Sequence, residues 1–138
     1  MSHPQMIFVN LPVKDLSTSR TFWEALGYSF NPQFSDDNTA CLVISDTIFA
    51  MLMTEGRFRD FTQPGKDVVD PAKATEVLIC LSAGSRERVD ELCDAALANG
   101  GAPAKDPQDY GMMYGRSFQD PEGHHWEVMW MDPSQVQG

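Results

Sequence analysis

The closing apolar segment His124–Met131, HHWEVMWM, carries one carboxylate, Glu127, among aromatic and aliphatic side chains. An unpaired carboxylate is costly to take out of water. An acid in such a setting therefore points to a metal ligand, a general base with a raised pKa, or a receptor for a cationic group. An ion pair or an exposed sheet edge is the competing account. His125 lies two residues from Glu127, on the same face of an extended chain. Its imidazole suits proton relay or metal ligation, and a structural hydrogen bond is the plainer alternative. Glu76 opens a second apolar run, Glu76–Leu81 (EVLICL), and Asn10 sits inside a third, Met6–Val13 (MIFVNLPV). Tyr114 and Arg116 fall in the glycine-punctuated segment YGMMYGRSF, where a ligand or backbone can approach closely. Arg116 suits a carboxylate or phosphate, with an Arg–Asp pair at the rim of a packed hairpin as its alternative use. The sequence holds no G-x-G-x-x-G, phosphate loop or G-x-S-x-G, so nucleotide cofactors and serine acyl transfer are not indicated.

These side chains need strands to hold them, and the pattern supplies strands in two series. Met6–Val13 reads as a strand ended by Pro12. The helix after it is capped by Asp15 or Ser17, stopped by Gly27, and apolar along Leu16, Phe22, Trp23 and Leu26. Three short strands follow, Tyr28–Phe34, Ala40–Ile44 and Ile48–Met53, with turns at Asp36–Asn38 and Ser45–Asp46. Glu55–Lys73, with its Gly and Pro residues, reads as a linker with room for one helical turn. The series then restarts: strand Glu76–Leu81, a Ser85-capped helix ended by Gly100 and Gly101, then strands Ala102–Ala104, Met113–Phe118 and His124–Met131. Asp120-Pro121-Glu122-Gly123 makes the last turn. This is a tandem strand–helix–strand–strand–strand order, visible in the elements and not in the letters. The expected boundaries are 6–55 for the first module, 56–73 for the linker, 74–132 for the second module and 133–138 for a frayed tail.

The chain of 138 residues, 42% hydrophobic and 22% charged, is ordinary globular material for one domain. A formal charge of −10 repels phosphate backbones and anionic membrane surfaces, so neither nucleic acid nor membrane is an expected partner. Cys41, Cys80 and Cys93 are odd in number and far apart, as expected for reduced thiols in a cytoplasmic protein. No apolar run approaches ~18 residues, and no basic region precedes a long apolar stretch, so neither a membrane span nor a signal peptide is expected.

LPVKDLSTSRTFWEALGYSF, with its V-x-D-L step and its aromatic pair before Leu-Gly, resembles the opening strand and helix of the vicinal oxygen chelate superfamily. SFQDPEGHHWEVMWM, with D-P-x-G turning into a Trp-Glu strand, resembles that superfamily's ending. The group comprises glyoxalases, bleomycin resistance proteins and extradiol dioxygenases, and the resemblance spans residues 6–132. It implies an α+β fold of two βαβββ modules whose curved mixed sheets form a cup with helices outside, and it implies a homodimer. It also implies one ligand position on the first and last strand of each module. These fall on Phe8, Ala50, Glu76 and Glu127. Phenylalanine and alanine offer no lone pair, so a divalent metal would have only Glu76 and Glu127, an incomplete set. Strand parity then points Phe8, Asn10, Glu76, Cys80, His125 and Glu127 into the cup, and Trp126, Val128 and Trp130 under a helix.

The reading the residues favour is a glyoxalase-like protein that binds a small molecule in its cup with a reduced or lost metal site. It either performs no chemistry or acts as a lyase or isomerase with Glu127 as base. Two alternatives stay open. One is a metal-dependent enzyme resembling lactoylglutathione lyase or an extradiol dioxygenase; the other is a bleomycin-resistance-like protein that sequesters a drug without catalysis.

Overall fold

A computed structural model describes residues 3–135, and the chain divides into two compact units, residues 1–68 and 69–138. In the first unit, strand β1 (Ile7–Val13) leads into helix α1 (Leu16–Ala25), then β2 (Ser29–Phe30), β3 (Thr39–Val43) and β4 (Ile48–Thr54). Asp15 caps α1 by accepting the Thr18 amide at 3.1 Å, and Gly27, at a φ of 98°, ends it in the left-handed region that glycine tolerates. The sheet order is β1-β4-β3-β2, parallel between β1 and β4 and antiparallel elsewhere. Leu11, Val13, Ala40, Leu42, Ala50 and Leu52 are buried, as are Phe22 and Trp23 of α1, the helix that packs on β2, β3 and β4. Such a cluster is the main source of folding free energy for a unit of this size. The expected strand Tyr28–Phe34 is cut short because Pro32 opens a 3-10 turn, Pro32–Phe34, with Asn31 accepting the Gln33 amide at 2.9 Å. The helical turn foreseen in the linker is α2 (Glu55–Arg59).

The second unit repeats the order with one added short strand, β7. Strand β5 (Leu78–Ser82) precedes helix α3 (Arg86–Ala98), followed by β6 (Ala102–Pro103), β7 (Gln108–Asp109), β8 (Met113–Gln119) and β9 (His125–Met131). Ser85 caps α3 through the Arg88 amide at 3.1 Å. The sheet order is β5-β9-β8-β6, with β7 also paired to β8. Val89, Leu92, Cys93 and Ala96 of α3 bury themselves against β8 and β9, where Phe118, Trp126 and Val128 are buried in turn. Gly101 is required here: a Cβ would stand 2.8 Å from the carbonyl oxygens of both Ala96 and Gln119, where the helix end meets β8. Each unit is thus a mixed sheet with a helix on one face, an α+β arrangement. Among the described residues no helix is long and apolar enough to cross a membrane. Of the expected tail, 133–135 form a 3-10 turn and 136–138 lie outside the described residues.

Candidate functional site

In the second unit, β9 alternates cleanly. Trp126 and Val128 are buried beneath α3, and His125, Glu127 and Met129 point to the opposite face. Register extends that face across the sheet. Leu78 pairs with His125 and Cys80 with Glu127 on one side, and Gln119 with His125, Ser117 with Glu127 and Gly115 with Met129 on the other. Leu78 is 57% exposed and Met131 41%, so this face is open and largely apolar. At its centre His125 Nε2 lies 3.2 Å from Glu127 Oε2, with the two side chains 16% and 39% exposed. A cavity of about 120 Å³ beside them is lined by Cys80, Asp106, Met113, Ser117, Glu127 and Met129, among others. The Cys80 thiol is pushed up from its ordinary value by partial burial of its sulfur and then by the charge of Glu127.

The turn before β9 fixes this geometry. Asp120 Oδ1 accepts the Glu122 and His124 amides, both at 3.0 Å, and Asp120 Oδ2 accepts the Trp126 indole N–H at 3.0 Å. Asp120 is almost fully buried, and that burial raises its carboxyl above the ordinary value.

Two of the expected ligand contacts, Tyr114 and Arg116, are bonded to α3. Tyr114 and Arg116 lie on the helix side of β8, in phase with buried Phe118. The Tyr114 hydroxyl donates to Asp90 Oδ1 at 2.7 Å, and Arg116 Nη1 donates to Asp90 and Asp94, both at 2.9 Å. They tie β8 to α3 and face away from Glu127. The bond from Tyr114, and then that from Arg116, hold the Asp90 carboxyl below its ordinary value. Glu76 is exposed and precedes β5, whose first residue is Leu78.

In the first unit the face assigned to Ala50 is also corrected. Ala50 pairs with Val9, not Phe8, and is fully buried on the side of Leu11 and Leu52. The β4 residues that share the Phe8 side are Phe49 and Met51. Phe8 stacks on Phe49 with ring centroids 4.9 Å apart. Asn10 is exposed on that side and spends its Nδ2 on the Phe8 carbonyl at 3.1 Å.

These donors do not fit a resident metal. Among the described residues no three His, Cys, Asp or Glu side chains converge on one point, and the register puts phenylalanines, which have no lone pair, on the Phe8 side of β1 and β4. Reading β5 to β9 by parity found Cys80, His125 and Glu127 but left out Ser117, Gln119 and Lys105. Ser117 and Gln119 flank Phe118, and their alternation with it was the available signal.

Residues 5–45 match the family described as Bleomycin resistance protein-like N-terminal. The chain is similar over most of its length to many solved structures, three of them as follows. A hypothetical protein from S. aureus is 27% identical, covering 94% of this chain and 95% of its own, with a TM-score of 0.74. A glyoxalase/bleomycin resistance protein/dioxygenase family enzyme from Burkholderia phytofirmans is 16% identical, covering 93% and 99%, with a TM-score of 0.75. A bleomycin resistance determinant encoded on the transposon Tn5 is 19% identical, covering 94% and 99%, with a TM-score of 0.62. No curated protein sequence matches the chain. The chain therefore has the fold of the glyoxalase, bleomycin resistance and dioxygenase structures, and its first third matches a bleomycin resistance protein-like family model.

Proposed function

We propose that this chain is a glyoxalase-like small-molecule binding protein that works without a resident metal. Its ligand is an apolar molecule carrying a cationic or hydrogen-bond-donating group, and Glu127 receives that group. The observation that carries this reading is the His125–Glu127 contact at 3.2 Å, set on an open, largely apolar face where, among the described residues, no three His, Cys, Asp or Glu side chains are grouped to hold a metal. Cys80, Met113 and Met129 supply adaptable apolar surface, and Asp106 and Glu127 supply negative charge in a lining that also holds Lys105 and Arg116. The catalytic form of the same reading uses Glu127 as a base for proton transfer beside a carbonyl.

Titration of the EDTA-treated protein with bleomycin and a panel of aromatic amines, followed by calorimetry, tests it. Saturable binding is expected, weakened about tenfold in Glu127→Gln, the scale of one hydrogen bond to a charged group. Equal binding by Glu127→Gln overturns the reading. So does one tightly held metal ion per chain whose removal abolishes binding, which favours the metal-dependent enzyme instead. A homodimer and a cytoplasmic location belong to the same proposal. Exposed Ile7, Phe8 and Leu78 favour the first and three free cysteines the second, and native mass measurement checks the dimer.

A further inference from the structure

The cations of the second unit are unevenly used. All three of its arginines carry carboxylate partners: Arg86 with Asp109, Arg88 with Glu91, and Arg116 with Asp90 and Asp94. Its two lysines, Lys73 and Lys105, have no such partner among the described residues. Both line one cavity of about 250 Å³, together with Thr75, Gln119, Gly123 and His125. In a chain of net charge −10, two unpaired ammonium groups meeting at one cavity is not what a solvated acidic surface requires.

The cavity is also built rather than incidental. Gly123, at a φ of 98°, lets the Pro71–Ala72 backbone lie against the 120–123 turn, because a Cβ there would stand 2.8 Å from the Pro71 carbonyl oxygen. Asp70 accepts the Ala72 amide at 3.0 Å and holds that backbone in its turn. Gln119 and His125 pair across β8 and β9 on the same open face as Glu127, and Lys105 lines both this cavity and the one beside Glu127. One cavity is therefore lined by Asp106 and Glu127, the adjoining one by Lys73, and Lys105 stands between them, lining both.

We propose that the cavity lined by Lys73, Lys105, Gln119 and His125 is an oxyanion subsite, taking a carboxylate or phosphate group of the ligand whose donor group meets Glu127. This rests on the reading of Glu127 given above and narrows it: the ligand is an acid as well as a donor, with its two groups of opposite character spaced along β8 and β9. Two ammonium groups suit an oxyanion and repel a cation, and the Gln119 amide, one N–H of which goes to the Pro103 carbonyl at 3.1 Å, has a second N–H to offer.

Titration of the isotopically labelled protein with inorganic phosphate and, separately, with succinate, followed by amide chemical shifts, tests the subsite. Saturable shifts are expected at residues 72–75, Lys105, Gln119 and His125, with no comparable response to chloride. The Lys73→Ala/Lys105→Ala protein should bind about tenfold or more weakly, and Lys73→Arg/Lys105→Arg should recover most of the affinity. Thermal melts confirm that each variant folds. Response to phosphate but not succinate assigns the subsite to phosphate esters, and the converse to carboxylic acids. Absence of saturable shifts with both probes, or undiminished binding by the double alanine variant, overturns the proposal. The Glu127→Gln protein should keep the phosphate response. A failure of amine binding alone then counts against the Glu127 reading, and a failure of oxyanion binding alone counts against this one.

Discussion

Trp126 donates its indole N–H to Asp120 Oδ2 at 3.0 Å, a bond on the buried face opposite to that of Glu127. With Trp126 pinned beneath α3, the alternation of β9 leaves Glu127 on the open side. Asp120→Asn should therefore be among the most damaging single changes in the second unit. One carboxamide oxygen can still meet the two turn amides, but the NH₂ group then faces the indole donor. A loss of ~1–3 kcal/mol is expected from urea unfolding, the cost of leaving a buried donor unmet. Burial raises the Asp120 carboxyl, so the folded chain keeps a proton that the unfolded chain releases near the ordinary carboxylate value. Asp120 thus lowers stability as pH rises through that window, and the asparagine variant should lack this component.

The element order, the V-x-D-L step and the D-P-E-G turn made the two-module fold legible in the sequence, because each is a local signal. Parity along β9 likewise set Glu127 apart from Trp126. What failed was the relation between strands far apart in the chain. Phe8 and Ala50 lie on strands paired in parallel, and their pairing is set by packing: Ala50 is small enough to sit fully buried opposite Val9. β7, two polar residues long, offers no alternation to detect and is held through Asp109, which Arg86 bonds at 2.7 and 2.9 Å. Arg116 has the Arg–Asp pairing that was its alternative use, but its partners, Asp90 and Asp94, were not legible because they belong to a helix more than twenty residues earlier.

Arg116 is bonded to two carboxylates of α3, Asp90 and Asp94. Its side chain is 17% exposed, but Asp90 and Asp94 are far more open, so solvent screening limits what the pairs contribute. Arg116→Met should cost ~1–2 kcal/mol in urea unfolding, by analogy with partly buried ion pairs. Amine affinity in the folded variant should match the parent, because the guanidinium and Glu127 lie on opposite faces. A folded Arg116→Met protein with tenfold weaker amine binding, taking ~1.4 kcal/mol per decade, would restore Arg116 as a ligand contact.

The clamp between Arg86 and Asp109 sets an acid limit. The guanidinium bonds, followed by the Gly111 amide, bring the Asp109 carboxyl down to about 2. Arg86 also lies over the Tyr114 and Trp130 rings, at 5.0 and 5.3 Å. The stability this carboxylate adds is complete above the ordinary carboxylate value of 3.8 and disappears as pH falls toward about 2. Asp109→Asn should lower the urea midpoint at neutral pH, and its acid limb should be flatter than the parent's across that interval. Parallel acid limbs in the two proteins would mean that Arg86 does not hold Asp109 in solution.

Cys80 reports on Glu127 directly, because the two are cross-strand partners on the open face. The thiolate is the reactive form, and the negative charge of Glu127 adds to the burial that disfavours it. Cys41 and Cys93 are buried, and burial raises both thiols, that of Cys93 to about 11, so neither should compete in the folded protein. Two unit charges about 6 Å apart under full solvent screening interact by roughly 0.7 kcal/mol, which corresponds to about a threefold change in thiolate population. Iodoacetamide should therefore alkylate Cys80 about three times faster in Glu127→Gln than in the parent at a pH below the thiol's own. Mass spectrometry of the labelled peptide measures it. Equal rates in the two proteins would mean that the carboxylate does not face Cys80, and binding at that face would then lose its acidic anchor.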